Sequence, residues 1–514
     1  MVRHFDRILL RAALLVSALL LAAAALAVPL RPGAALIFPP FTEDGYYSLQ
    51  IARAIAAGKG PSLEGSGLTN GFQPLITFLQ AAAFRVTGGA ELPALRLVAG
   101  LGWLTYLGAA LLLGRIAARA ADGEAEERRR RGLIATVLAL AALPLWLSHF
   151  NGLETGLLLF LLALLWRRWQ RGATRSWVGL AACGALLGVT VLARIDAVFL
   201  TIALAAVELA AGWRDGWRRA FARAALLSGT ALLVSSPWWA FNVIAFGSPM
   251  PISGTAQQLW AIDPYRWRWI LWALGQTLAP WLSPTQYYDD RTSWIPVFGA
   301  AALVGVGLFA AKDYRPLANG SNRFATALGM AMAALVLWYG FSSIAFWFYA
   351  RYLVPLSLIG IVAAALLLAR LPRRAALLLV LAVPLLATPA LSANRAAWQG
   401  SLTYFGTIMF WDQVELVRAH VPDGEWVAAG QSGTLGFFRP HVLNMDGKVN
   451  PQAQAHLGRA TGYLKTKGVR WFADWEWYVH RALGPEPEKE GWVRVAERRN
   501  FILYQLEDRA GPKP

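Results

Sequence analysis

Apolar runs of roughly 17–23 residues recur from residue 8 to residue 392, and each is long enough to cross a hydrocarbon core about 30 Å thick. About eleven membrane-spanning helices are expected, near 8–30, 95–114, 133–149, 153–166, 176–193, 196–212, 224–246, 294–311, 324–345, 352–370 and 375–392. The segment 266–282, rich in Trp and carrying Pro280, reads as an interfacial or re-entrant helix. The first run ends in Ala25-Leu26-Ala27, which resembles a signal-peptidase site. The run is longer than the usual h-region of about 7–15 residues, so it is expected to stay as a span.

Composition agrees. The chain of 514 residues is 57% hydrophobic and 15% charged, against about 25% charged in an ordinary soluble protein. Its 24 Trp and 14 Tyr suit interfacial aromatic belts. A net charge of +18 would suggest nucleic acid in a soluble protein. Here the basic residues sit mainly in short connections, and no basic–aromatic binding module occurs, so no nucleic-acid partner is expected. The lone Cys183 rules out a disulfide within the chain.

The basic residues also orient the spans. One set of short connections carries Arg3, Arg7 and Arg11; Arg115, Arg119 and Arg128 to Arg131; Arg167, Arg168, Arg171 and Arg175; Arg214, Arg218, Arg219 and Arg223; Lys312, Arg315 and Arg323; and Arg370, Arg373 and Arg374. The opposite set is longer and carries fewer: Arg31, Arg53, Lys59, Arg85, Arg194, Arg266, Arg268, Arg291 and Arg351. The N-terminus is therefore expected in the cytoplasm, and an odd number of spans puts the C-terminus outside.

A transmembrane module over 1–392 is thus expected, followed by a water-soluble extracytoplasmic α/β domain over 393–514. Two long external loops belong to the first part, 31–93 and 247–292. In the first, two amphipathic stretches, 43–57 and 73–86, read as helices lying along the membrane surface. In the C-terminal part, strand-like runs at 425–430, 441–445, 469–473, 491–497 and 500–506 alternate with helical stretches near 409–420, 451–467 and 474–482.

Several clusters are candidates for chemistry. Glu43-Asp44 follows the first span directly. One carboxylate can take a proton from an acceptor hydroxyl as it attacks a sugar carbon, while the other orients the acceptor or binds a metal. The pair also suits a helix start, with Thr42 as N-cap and acids in the first turn. Arg351 lies in an aromatic stretch at the external end of a late span. It reads as a phosphate ligand through its planar fork, or as an interfacial anchor. Lys59, beside glycines, offers a second phosphate cation. His149 and Glu154 share a short hairpin, and Arg194 with Asp196 reads as a mutually neutralising pair at another helix end. Tyr287 to Arg291 form a further polar cluster. The run Gly430–Phe437 superficially suggests a phosphate loop, but lacks the Lys-Ser/Thr ending and reads as a strand-to-helix turn. Asn444, Asp446, Gly447 and Asn450 read as the following turn, or as sugar contacts.

Taken together, these residues resemble the GT-C glycosyltransferases, membrane enzymes that use polyprenyl-phosphate-linked sugars. The ordered motifs Glu43-Asp44-Gly45-Tyr46-Tyr47, Ile51-Ala52-Arg53, Gly58-Lys59-Gly60, Thr69-Asn70-Gly71-Phe72-Gln73, Asn151-Gly152-Leu153-Glu154 and Ala350-Arg351-Tyr352 resemble bacterial members of the glycosyltransferase 39 or RgtA/B/C/D-like type. The resemblance implies inverting transfer from a lipid phosphate to an extracytoplasmic glycan, lipid or protein, in a bacterial inner membrane. It implies a first-loop carboxylate as base, Asp44 or Glu43; many relatives carry Asp at both positions, so Glu43 departs from the pattern. It further implies Arg351 and Lys59 at the donor phosphate, and Tyr46, Tyr47, Asn70, Gln73, His149, Glu154 and Tyr352 near substrate. No metal ligand is assigned, and a divalent metal is left open. Competing readings are a transporter or flippase of lipid-linked sugars, which needs no first-loop base, and an O-antigen ligase or polymerase, whose large external loop typically lies between late spans.

Overall fold

The computed structural model of the protein describes residues 2–37, 41–256, 266–283, 294–310, 318–342, 349–375 and 407–507, together with Leu378 and Ala382. The expected last span over 375–392, the boundary at 392/393 and the cluster Tyr287 to Arg291 fall outside the described residues, apart from the first few positions of that span.

The helical part runs α1 (Val2–Leu26), α2 (Glu43–Ala56), α3 (Pro74–Val86), α4 (Glu91–Ala117), α5 (Ala125–Ala141), α6 (Leu143–Phe150), α7 (Thr155–Gln170), α8 (Trp177–Ala193), α9 (Val198–Phe246), α10 (Ile252–Thr255), α11 (Arg266–Leu278), α12 (Trp294–Ala310), α13 (Gly320–Ser342), α14 (Tyr349–Leu353) and α15 (Leu356–Leu368). Among the described residues, four helices are long and apolar enough to cross a membrane, or five if α5 and α6 form one bent span. Several of the expected spans fall on helices that are shorter than this or joined to one another, and the last lies largely outside the described residues. The 49-residue α9 joins two expected spans across Gly216, whose φ of 149° breaks the helical backbone. The apolar helices α8, α12 and α15 have 17, 17 and 13 residues, short of the roughly 20 that a perpendicular crossing needs. The expected straight span over 133–149 is broken by 63° between α5 and α6. Pro144 stands in the first turn of α6; its ring and missing N–H stop α5 from continuing.

The basic connections converge on one end of this bundle. Arg11 pairs with Glu126, Arg130 donates to the Leu371 carbonyl, and Gln170 to that of Ile116. Arg223 reaches the Thr174 carbonyl and, at 2.9 Å, the Glu208 carboxylate. The turn after α1, the first turn of α2, the α6–α7 hairpin, the α8–α9 corner and α14 carry the opposite end.

The C-terminal part is a five-stranded mixed sheet in the order β2-β1-β3-β5-β4, from β1 (Val427–Ala429), β2 (Val442–Asn444), β3 (Trp471–Trp475), β4 (Trp492–Arg498) and β5 (Phe501–Leu506). β1 runs parallel to β2 and β3; β5 runs antiparallel to β3 and β4. The two-residue period of a strand divides the apolar side chains between two faces. Val427, Ala429, Trp471, Ala473 and Leu503 pack with Val414 and Val417 of the helix Thr407–His420. Ala428, Leu443, Phe472 and Ile502 pack with Leu464 and Val479 from helices on the other side. Helix thus covers both faces of the sheet.

Candidate active site

The first turn of α2 is pinned from two sides. Thr42 caps it, accepting from the Gly45 N–H at 3.3 Å. The Thr42 N–H and hydroxyl both donate to the Asn151 carbonyl, at 3.2 and 3.1 Å. Gly45 lies so close to the hairpin that a Cβ there would stand 2.3 Å from that same oxygen. The motifs Glu43-Asp44-Gly45 and Asn151-Gly152-Leu153-Glu154 are therefore one contact. Successive helical residues point about 100° apart, so the two acids diverge.

Asp44 turns toward α14 and is 3.1 Å from the Arg351 guanidinium, with both side chains about a quarter to a third exposed (30% and 26%). Behind this pair lies a buried charge network. Glu154 sits 3.9 Å from both Arg351 and Arg194. Arg194 pairs with Asp196 at 2.9 Å and donates to the Arg351 carbonyl at 3.0 Å. Tyr352 stacks on Tyr339 at 4.1 Å and lies under the Arg194 guanidinium. Arg351 is thus held through backbone, carboxylate and ring while its fork meets Asp44. Lys448 lies in the turn after β2, whose backbone is seated on the first loop: a Cβ on Gly71 would stand 2.1 Å from the Lys448 carbonyl oxygen. Burial opposes the Lys448 charge, but Asp44, then Tyr478, Asp446 and Tyr352 outweigh burial and raise its pKa.

Glu43 turns the other way and is buried against the C-terminal part. Its carboxylate accepts from the Gly433 and Thr434 N–H groups and from the Thr434 hydroxyl. Burial pushes its pKa up to about 7; the Thr434 and Gly433 hydrogen bonds oppose that and Asp44 adds to it. The loop at Gly433 and Thr434 does hold a carboxyl group, and that group is Glu43 itself. Asp474 closes the loop, accepting from the Gln431 N–H at 2.7 Å, and its own pKa is raised to about 7, mainly by burial. Tyr47 donates to the Gly430 carbonyl at 2.7 Å and accepts from the Ser432 N–H at 3.0 Å. Gln50 and Arg53 donate to the Ser432, Gly433, Gly436 and Phe437 carbonyls.

The expected site residues therefore divide. Asp44, Arg351, Glu154 and Tyr352 come together. Glu43 does not present a carboxylate to solvent: both its oxygens are occupied in the docking contact. Tyr46 is fully buried, donating to the Ile37 carbonyl and packing on Phe437 and Phe438. With Tyr47 it belongs to that contact, away from open surface. Asn70 accepts from the Ile252 N–H at 3.0 Å and Gln73 from the Ile195 N–H at 3.3 Å; they fix backbone around the site. His149 is turned to Thr105, 3.0 Å from its hydroxyl, on the far side of the hairpin from Asp44. Lys59 is exposed beyond the last turn of α2, roughly 20 Å along the helix from Asp44 at 1.5 Å per residue. From the C-terminal part, the charge of Lys448 acts on Asp44. No sequence signal marked it beyond a lysine within the otherwise apolar and turn-forming stretch 442–450, since its approach depends on docking of the two parts.

The metal question turns on donors. Among the described residues no three His, Cys, Asp or Glu side chains stand close enough to hold an ion. The carboxylate of Asp44 faces the Arg351 guanidinium, a charge that repels a divalent cation. Among the described residues, the donor set does not fit a metal.

No family model matches the chain, and no curated protein matches it either. Solved structures do. ArnT from Cupriavidus metallidurans bound to undecaprenyl phosphate is similar at a TM-score of 0.56 and 13% identity, over 97% of this chain and 98% of that one. The Archaeoglobus fulgidus oligosaccharyltransferase in the apo form is similar at 0.55 and 14%, over 97% of this chain and 75% of that one. The archaeal oligosaccharyltransferase AglB from the same organism, in complex with an inhibitory peptide and a dolichol-phosphate, is similar at 0.53 and 14%, over 98% and 75%. These are GT-C superfamily glycosyltransferases, and the chain has their fold: an apolar helical module with a small C-terminal α/β part.

Proposed function

We propose that the protein is an inverting glycosyltransferase of the bacterial cell membrane, moving a sugar from a polyprenyl-phosphate donor to an extracytoplasmic glycan, lipid or protein. The observation that carries this is the partly exposed Asp44–Arg351 pair, at the end of the bundle away from the basic connections, in a fold shared with ArnT bound to undecaprenyl phosphate. In this reading the donor phosphate competes for Arg351, whose fork suits two parallel hydrogen bonds to phosphate oxygens. Asp44, released from its partner, accepts the proton of the acceptor hydroxyl as that oxygen bonds to the sugar C1. The bond from C1 to the phosphate oxygen breaks on the opposite face, and polyprenyl phosphate leaves.

Purified full-length protein incubated with a panel of polyprenyl-phosphate sugars is expected to give glycosylated acceptor and free polyprenyl phosphate by mass spectrometry. Asp44→Asn is expected to lower turnover roughly 10²-fold or more, the scale of a lost general base, with donor binding kept. Movement of intact donor across a vesicle bilayer without release of polyprenyl phosphate would replace this reading with the transporter. Near-normal turnover in Asp44→Asn would remove Asp44 as base.

A further inference from the structure

At the basic end of the bundle, α1, the start of α5 and the segment after α15 frame a cavity of about 150 Å³. One wall is apolar: Leu10 and Leu14, four positions apart and so on one face of α1. The rest is ionic. Arg11 and Glu126 line the cavity and pair with each other. That leaves two guanidinium groups, Arg130 and Arg373, and two carboxylates, Glu124 and Glu127. Among the described residues, none of these four side chains has an ion-pair partner. Arg130 donates to the Leu371 carbonyl at 2.8 Å, while its Nε is buried without a hydrogen-bond partner. That bond ties Arg130 to the segment carrying Arg373, so two like charges share one part of the wall. Glu124 and Glu127, three positions apart, share one side of α5 at its start. The helix dipole accounts for acids at a helix start. It does not account for two arginines without carboxylate partners lining the same cavity.

We propose that this cavity binds the headgroup of a zwitterionic phospholipid bearing a primary amine, phosphatidylethanolamine. The phosphodiester takes Arg130 and Arg373, whose planar forks suit phosphate oxygens. The ammonium takes Glu124 and Glu127, since its three N–H donors can serve both carboxylates. The glycerol end of the lipid lies on Leu10 and Leu14. The balance of two cations and two carboxylates decides the class of ligand. A purely anionic headgroup would satisfy the arginines but bring its charge against the two acids. A choline headgroup has the right charges, but its quaternary nitrogen has no N–H to donate. Bound there, the lipid ties α1 to α5 and to the chain beyond α15. The site is independent of the glycosyl-transfer reading, because it lies at the opposite end of the bundle from Asp44 and Arg351.

The test uses delipidated full-length protein in detergent micelles, with binding of added lipid read by native mass spectrometry. Phosphatidylethanolamine is expected to bind roughly tenfold or more tightly than phosphatidylcholine or phosphatidylglycerol of the same chains, the scale of one charge-assisted hydrogen bond. Arg130→Gln combined with Arg373→Gln is expected to remove that binding. Arg129→Gln changes an exposed neighbour outside the cavity and is expected to leave it unchanged. Glu124→Gln combined with Glu127→Gln is expected to keep phospholipid binding but erase the preference for ethanolamine over glycerol. All five side chains are exposed or partly exposed, so every variant is expected to melt with the lipid-free wild type. Equal binding of the three phospholipids by wild type, or an equal loss in Arg129→Gln, would reduce the site to general attraction at a basic surface and overturn the proposal. A preference for phosphatidylglycerol would make it an anionic-lipid site and overturn it as well. Soluble O-phosphoethanolamine binding as tightly as the lipid would leave Leu10 and Leu14 without a role and sink the lipid assignment.

Discussion

The two ends of the helical bundle use the same ionic chemistry to different effect. At the basic end, Glu208 on α9 is almost fully buried, 2.9 Å from Arg223 beyond the Gly216 break and 4.0 Å from Arg323 on α13. Such a carboxylate ties helices together, and removing one partner of a buried pair costs about 3–5 kcal/mol because the other is left stranded. At the opposite end, Asp44 and Arg351 pair at 3.1 Å while both stay partly exposed. A pair partly open to solvent is held less tightly than a buried one, so a phosphate can displace Asp44 from Arg351 at less cost than Glu208 can lose Arg223. Burial, more than charge count, separates a structural tie from an exchangeable contact.

The basic end is expected in the cytoplasm and the Asp44 end outside it. Lys465 lies on the exposed surface of the C-terminal part, and Arg218 lies beside the Gly216 break. Cys183 is buried and gives little background. Lys465→Cys is expected to react with an impermeant thiol reagent in intact spheroplasts, and Arg218→Cys only after lysis. The reverse pattern would move the proposed site to the cytoplasm and end the reading of an extracytoplasmic acceptor.

A matched pair of substitutions sharpens the same contrast. Arg351→Lys keeps a cation beside Asp44 but loses the planar fork. It is expected to fold normally and to lower kcat/KM for the lipid-linked donor by roughly 10–100-fold, one or two charge-assisted hydrogen bonds' worth. A loss in kcat places the contact in the transition state; a rise in KM places it in donor binding. Arg223→Lys, at the other end, keeps its ion pair with Glu208 and is expected to leave both constants unchanged. Unchanged kinetics in Arg351→Lys would reduce Arg351 to an interfacial anchor.

Much of this architecture is legible in the sequence because local periodicity decides it. The stretches 43–57 and 73–86 fold as Glu43–Ala56 and Pro74–Val86, and each of the five strand-like runs contains or nearly matches a strand. Thr42 caps as its position before two acids implies. What the sequence does not display is tertiary. Adjacent acids look equivalent in one dimension, yet a turn of about 100° sends one into the docking contact and the other toward Arg351. Lys59 looks like a site cation because it is near Asp44 in sequence, but a helix carries it away, while Arg351 arrives from 307 positions later. The bend between α5 and α6 hides in a run whose hydrophobicity is continuous; Pro144 marks it, but hydropathy averaged over a span does not.

The smallest expected effect concerns Glu43, and it distinguishes a docking carboxylate from a catalytic one. Its pKa rises from 4.5 to about 7, chiefly because burial disfavours the charge. Between those values the folded protein holds a proton that the unfolded chain has released. The native state therefore binds more protons, and stability falls as pH rises through the window. The contribution is greatest below about pH 4.5 and has been lost once pH passes about 7. The size is roughly 1–3 kcal/mol at most, since one pKa unit corresponds to about 1.4 kcal/mol. Glu43→Gln removes this titration and keeps a carbonyl to accept from Thr434. The apparent Tm of wild-type protein is expected to fall between pH 5.5 and pH 8, and that of Glu43→Gln to fall by less, with the remaining slope owed in part to Asp474. Turnover in Glu43→Gln is expected to stay within a few-fold of wild type, far from the roughly 10²-fold of a lost base. Identical pH slopes in the two proteins would mean that Glu43 is not buried in the docked contact. A large loss of turnover with an unchanged slope would return the role of base to Glu43 and take it from Asp44.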